Sequence, residues 1–186
     1  MARRFNSLRS LFVVALALGA LCGSASAATL VGATSATVVW VSVANYVPST
    51  ATYEMRNRDK SFLPPFLVIP AGASVRFPND DAFYHSIYSS SPADPFDIGY
   101  YDNGPGKVVP FPKPGVIIVK CHIHAFMMSI IIVTDGPSSG TAYGTYRLDD
   151  VPPGAHVIHM WSQTHGESTQ RIRVPATHGI VTLNLR

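Results

Sequence analysis

Cysteine is almost absent from this chain. Only Cys22 and Cys121 occur among 186 residues, and Cys22 falls in a segment that reads as a removable leader. The remainder carries one thiol, which excludes an internal disulfide framework. Cys121 is then either an idle thiol or a thiolate with a chemical task. A surplus of charge is lacking too. Lys and Arg number 14 against 11 Asp and Glu, but Arg3, Arg4 and Arg9 belong to the leader, and without them each sign counts 11. With that balance the electrostatic case for nucleic acid or an acidic membrane surface disappears. No stretch keeps a helical period, so a helical bundle is not expected. There is no phosphate-cradling loop, no pair of glutamates and no Ser-His-Asp arrangement that the sequence allows to be placed. An enzyme is therefore not expected.

The leader itself has three parts. Arg3, Arg4 and Arg9 form a basic start, Leu11 to Leu21 an apolar run, and Ala25-Ser26-Ala27 a small-residue cleavage site. Residues 1–27 read as a signal peptide, giving a periplasmic or secreted protein. The apolar run is too short for a comfortable membrane span. Cys22 raises a lipoprotein reading, but Leu21 is bulky for the residue before a lipidated cysteine. Arg3-Arg4 raises twin-arginine export, but the residues after this pair match that signal poorly.

What is present in quantity is turn and strand material. Fifteen prolines and fourteen glycines punctuate runs of Val, Ile, Tyr and Thr, the composition of short strands and turns. Strands are expected at Thr37 to Val43, Phe66 to Ile69, Ser74 to Phe77, Lys107 to Phe111, Gly115 to Cys121 and Ser129 to Val133. Val116 to Val119 is continuous and apolar, which predicts burial on both faces. Residues 89–107 read as a long surface connection with a short strand near Phe96 to Ile98. Asp135 to Gly140 is a boundary signal. Beyond it, strands are expected at Gly144 to Leu148, Ala155 to Trp161, Arg171 to Val174 and Ile180 to Leu185. The fold class is all-β, one β-sandwich with a smaller one after it.

One stretch concentrates chemistry. Cys121-His122-Ile123-His124-Ala125-Phe126-Met127-Met128 holds a thiol, two imidazoles and two thioethers. Soft sulfur beside imidazole is a ligand set that copper prefers, and an electron-transfer site wants two His, one Cys and a weak axial thioether. Cys121-x-x-His124-x-x-Met127 can supply three donors from one loop. His85, just after the Asn79-Asp80-Asp81 turn, is the natural fourth. In a strand-like segment His122 alternates away from Cys121, so it is expected to face solvent or an outer shell. His156, His159, His165 and His178 read as scattered surface histidines.

At Phe77-x-Asn79-x-Asp81-x-x-x-His85 and the Cys-x-x-His-x-x-Met loop, residues about 53–134 resemble the cupredoxins, the small blue-copper proteins. The loop spacing is similar to that of amicyanin and shorter than in plastocyanin or azurin. The resemblance implies a Greek-key sandwich and one type 1 copper ion held by His85, Cys121, His124 and Met127, with Met128 open as an alternative axial ligand. It also implies one-electron transfer to a redox partner protein through His124, with Ala125 and Phe126 on an apolar docking rim. The sequence departs from the pattern at Lys120, where an aromatic is common, at Ala125 in place of a proline, and at Ser86 in place of an asparagine that helps tie the ligand loops together. The His-Cys-His run of multicopper oxidases is not matched, because Lys120 precedes Cys121 and no further His-x-His pairs occur.

Gly144 to Leu148, Asp150-Val151-Pro152-Pro153-Gly154 and the strand ending at Trp161 resemble a transthyretin-like or carboxypeptidase regulatory-like β-domain. Secreted cupredoxins with such a tail are similar to sequences labelled methylamine-utilisation-like, a label that proves no role in amine metabolism. The expected division is 1–27 signal, 28–134 cupredoxin domain and 135–186 the smaller β-segment, with strands from 28–50 able to complete the latter in a nested arrangement. A copper carrier or envelope binding module without electron transfer is the alternative function.

Overall fold

The computed structural model describes residues 27–141, 144–176 and 179–185. The leader and His178 lie outside them. The described chain is all-β. Its strands are β1 (Ala28–Ala33), β2 (Val38–Ser42), β3 (Thr52–Glu54), β4 (Arg56–Arg58), β5 (Ser61–Leu63) and β6 (Phe66–Pro70). Next come β7 (Ser74–Asn79), β8 (His85–Ser89), β9 (Phe96–Tyr101), β10 (Gly104–Pro110), β11 (Gly115–Cys121) and β12 (Met128–Thr134). The last are β13 (Ser138–Gly140), β14 (Thr145–Val151), β15 (Gly154–Ser162), β16 (Gly166–Val174) and β17 (Gly179–Thr182).

Among the described residues, four sheets stack with three cores between them. Sheet β10-β7-β4-β5, with β3 also on β7, faces sheet β6-β12-β11-β8-β9. Met55, Phe77, Ile87, Phe111, Val119 and Ile131 fill the space between these two. The chain passes from one sheet to the other at β7 to β8, β9 to β10 and β10 to β11, as a Greek-key sandwich requires. Sheet β14-β1-β17 faces sheet β13-β2-β15-β16 over Leu30, Val39, Val41, Leu148 and Ile158. The N-terminal strands thus hydrogen-bond to strands of residues 135–186: β1 to β14 and β17, β2 to β13 and β15. The two inner sheets then pack on each other through Val38, Trp40, Trp161, Ile132 and Val68.

This stacking decides which apolar runs are buried on both faces. β2 and β12 lie in the inner sheets, and Val38 to Val41 and Ile131 to Val133 are buried without alternation. β11 differs from the expectation. Val116 packs into the middle core, but Ile118 on the same face is 39% exposed. The segment 89–107 also differs, because it holds β9 and most of β10 rather than one short strand. Its Ser, Pro and Gly content hid the strands. Gly106 is where the fold needs glycine: it has φ +70°, and a Cβ there would collide with the Phe77 carbonyl oxygen. β1 falls within residues 28–50, from which strands completing the C-terminal segment are expected, and it buries Ala28 and Leu30 in alternation.

Candidate metal centre

Alternation along β11 sends Ile117, Val119 and Cys121 into the core of the first sandwich. Cys121 ends the strand as a buried free thiol. The chain turns, with the Met127 N–H donating to the His124 carbonyl at 2.9 Å, and re-enters the sheet as β12. β8 lies beside β11 with Ile87 opposite Cys121, which brings His85, the first residue of β8, to the same end. The His122 N–H donates to the Ser86 carbonyl at 3.0 Å. The two ligand segments are therefore tied through backbone, and the Ser86 hydroxyl, buried, has no protein partner.

His85, Cys121 and His124 converge. Their donor atoms all lie within 4.8 Å of one another. The Cys121 Sγ is 3.7 Å from the His85 Nδ1 and 3.8 Å from the His124 Nδ1. Both imidazoles thus aim the same ring nitrogen at the thiol. His85 is fully buried and His124 half-buried at the protein surface. Met127, 2% exposed, shares the core with Cys121, whereas Met128 points outward at 51% exposure.

Asp81 explains the orientation of His85. Its Oδ2 accepts from the His85 Nε2 at 2.9 Å. A carboxylate only accepts, so the ring proton sits on Nε2 and the Nδ1 lone pair is free to bind a metal. Asp81 also accepts from the backbone N–H groups of Asp59 at 2.7 Å and Lys60 at 3.1 Å. Burial opposes its ionisation, but these N–H groups and the His85 ring outweigh burial and hold the carboxyl below its ordinary range. Asn79 closes the same loop: its Nδ2 donates to the Phe83 carbonyl and its Oδ1 accepts from the Asp81 N–H. At His124, burial first, then the charges of His85 and Lys60, hold the imidazole below its usual value. The Asp81→Asn variant is expected to weaken copper(II) binding about 10- to 100-fold, the usual effect of losing such an outer partner. A competition titration with a chelator of known affinity measures it.

His122 faces away from the thiol. Its ring stacks on Tyr88 with centroids 3.8 Å apart and donates to Asp97 at 3.1 Å. Phe126 is 73% exposed beside the site, and Phe83, Tyr84 and Ile123 extend the apolar rim. Phe83 and Tyr84 were missed in the sequence, although two aromatics directly before His85 were a usable signal.

The C-terminal histidines are not all scattered over the surface, in contrast to the expectation from sequence. His159 lies on the inner face of its sheet, stacked on Trp40 with centroids 4.7 Å apart. Its Nδ1 meets Glu167 at 2.8 Å and its Nε2 meets the Ser42 Oγ at 3.0 Å. This Ser-His-Glu grouping was invisible in the sequence. It lacks the proton path of a hydrolase, because Ser42 donates its proton to Asp135 at 2.7 Å. It instead ties β2, β15, β16 and the segment after β12 together.

No protein-family model matches the chain, and no curated protein matches it. Among solved structures, a copper-containing nitrite reductase (NirK) from Thermus scotoductus SA-01 is 28% identical over 50% of this chain, with a TM-score of 0.43. The match spans only 25% of the reductase's own chain. Amicyanin from Paracoccus versutus is 21% identical over 53% of this chain and 98% of its own, with a TM-score of 0.41. A reduced amicyanin variant is 16% identical over 52% and 98%, with a TM-score of 0.42.

Proposed function

We propose that this chain is an exported, mononuclear type 1 copper protein that carries single electrons to and from a redox partner protein. The observation that carries the reading is the convergence of one buried thiol and two imidazole Nδ1 atoms within 4.8 Å. The donor set fits copper better than zinc. A structural zinc site closes with four strong ligands, whereas here a buried thioether is the remaining candidate. His85, Cys121, His124 and Met127 would hold the ion. When bound, copper supplies a one-electron couple spanning Cu(I) and Cu(II). The chain's own part is rigidity and access. The thiol is fixed at a strand end, His85 is locked by Asp81, and half-buried His124 reaches the apolar rim. Among the described residues, no helix is long and apolar enough to cross a membrane. Residues 53–134 form the copper-binding sandwich in this reading, and strands β1 and β2 complete the second sandwich.

The test is a visible spectrum of the copper(II)-loaded protein followed by repeated reduction and reoxidation. An intense band that bleaches and returns supports the carrier. A protein that releases copper on reduction is a copper carrier, the alternative role. The axial assignment has its own measurement. Met127→Leu is expected to raise the reduction potential, while Met128→Leu leaves potential and spectrum unchanged. Equal effects from both variants would remove Met127 from the ligand set.

A further inference from the structure

The connection between β4 and β5 contains two residues, Asp59 and Lys60, with φ of 52° and 56°. Two successive left-handed residues are the signature of a hairpin turn that normally uses Asn-Gly or Gly-Gly, because side chains resist that backbone. Here neither residue is glycine. The structure shows what offsets the strain: the Asp81 carboxylate accepts from both backbone N–H groups of the turn. The same Oδ2 that receives the Lys60 N–H also receives the His85 ring. One buried carboxylate therefore fixes a metal-binding imidazole and a surface turn together.

The turn places its lysine at a consequential position. The Lys60 Nζ lies 5.6 Å from the centre of the Phe83 ring. With Phe83, Tyr84, Ile123 and His124 it lines a shallow concavity of about 450 Å³. Among the described residues it is the only charged one lining that concavity. The other wall residues are apolar or aromatic, apart from His124 itself. Asp59 next to it turns toward Arg58, 4.0 Å away.

We propose that Asp81 makes Lys60 a fixed positive charge on the face where His124 emerges, and that this face selects a redox partner presenting a carboxylate over an apolar patch. This rests on the electron-carrier reading for its partner, but not for the link between Asp81 and the turn. Charge complementarity is the argument for the occupant. An apolar rim desolvates on contact, and a single cation within it is satisfied only by an anionic group opposite.

Two measurements test the proposal. In the metal-free protein, amide hydrogen exchange at Asp59 and Lys60 is expected to quicken by about tenfold or more in Asp81→Asn, as the turn opens locally. In the reduced, copper-loaded protein, one electron passes to each added oxidant. Lys60→Gln is expected to slow oxidation by hexacyanoferrate(III), an anion, by about three- to tenfold at low salt. The same variant should leave oxidation by tris(phenanthroline)cobalt(III), a cation, unchanged or faster. Unchanged exchange at both amides, or equal slowing with both oxidants, overturns the proposal. If the unmodified protein reduces neither oxidant, the carrier reading fails and with it the selection of a partner, while the amide measurement still decides the link between Asp81 and Lys60.

Discussion

Cys121→Ser is expected to abolish the intense visible band of the copper(II)-loaded protein and to lower copper affinity by more than the ~10- to 100-fold that an outer-shell change costs. The band requires a thiolate bound to the metal, and Cys121 is the only cysteine among the described residues. Its Sγ lies 3.7 Å and 3.8 Å from the two imidazole nitrogens, and among the described residues no second thiol can take its place. A serine hydroxyl keeps the size but is a hard, neutral donor that does not deprotonate readily. The substitution should leave the fold intact, because the side chain stays small at the end of β11. Absorption, chelator competition and far-ultraviolet circular dichroism on the same sample separate the site from the fold. A band that survives in the serine variant would remove Cys121 from the centre.

Trp40→Ala is expected to cost about 3–5 kcal/mol of stability while leaving the position of the visible band unchanged. Trp40 is 1% exposed and lies in the middle core, where the two sandwiches meet. It packs with Val38, Ile132 and Trp161 and stacks on His159. Its indole Nε1 has no protein partner, so the loss is one of packing and of the cavity left behind, not of a hydrogen bond. Neighbouring strands in both inner sheets are held by their ladders and cannot collapse into the space. Cys121 and Met127 of the candidate metal site sit in the other core, on the far side of the sheet that holds β12. Urea unfolding compared with the unchanged protein measures the loss. A shift below about 1 kcal/mol would mean that the two sandwiches do not depend on this contact.

Lys60 and Asp81 act through contacts that no local stretch of sequence encodes. Asp81 was part of a recognisable motif, but its three simultaneous bonds reach β8 and the turn after β4, far apart in the chain. Nothing local marks Lys60 as lying near His124. The same holds for His159, which a sequence reading leaves on the surface and the structure puts against Trp40. Val116 to Val119 and Ile130 to Val133 are both continuous apolar runs, yet only β12 buries consecutive residues, Ile131 to Val133, because the second sandwich covers that part of it while Ile118 of β11 stays exposed.

The sequence by itself determined the all-β class, the strand and turn order of the main elements, and the spacing of Cys121, His124 and Met127. These are local properties: side-chain alternation, turn chemistry and the reach of a short loop all act over a few residues. His85 was legible as the further donor and strands from 28–50 as partners of the C-terminal segment, but the tertiary structure alone decided that the His85 Nδ1 turns toward Cys121, that Asp81 sets this orientation, that β1 and β2 take opposite sheets of the second sandwich, and that a third core joins the sandwiches. Each depends on contacts between segments distant in the chain. Such contacts are chosen by the burial and hydrogen bonding of the whole fold, which no short stretch encodes.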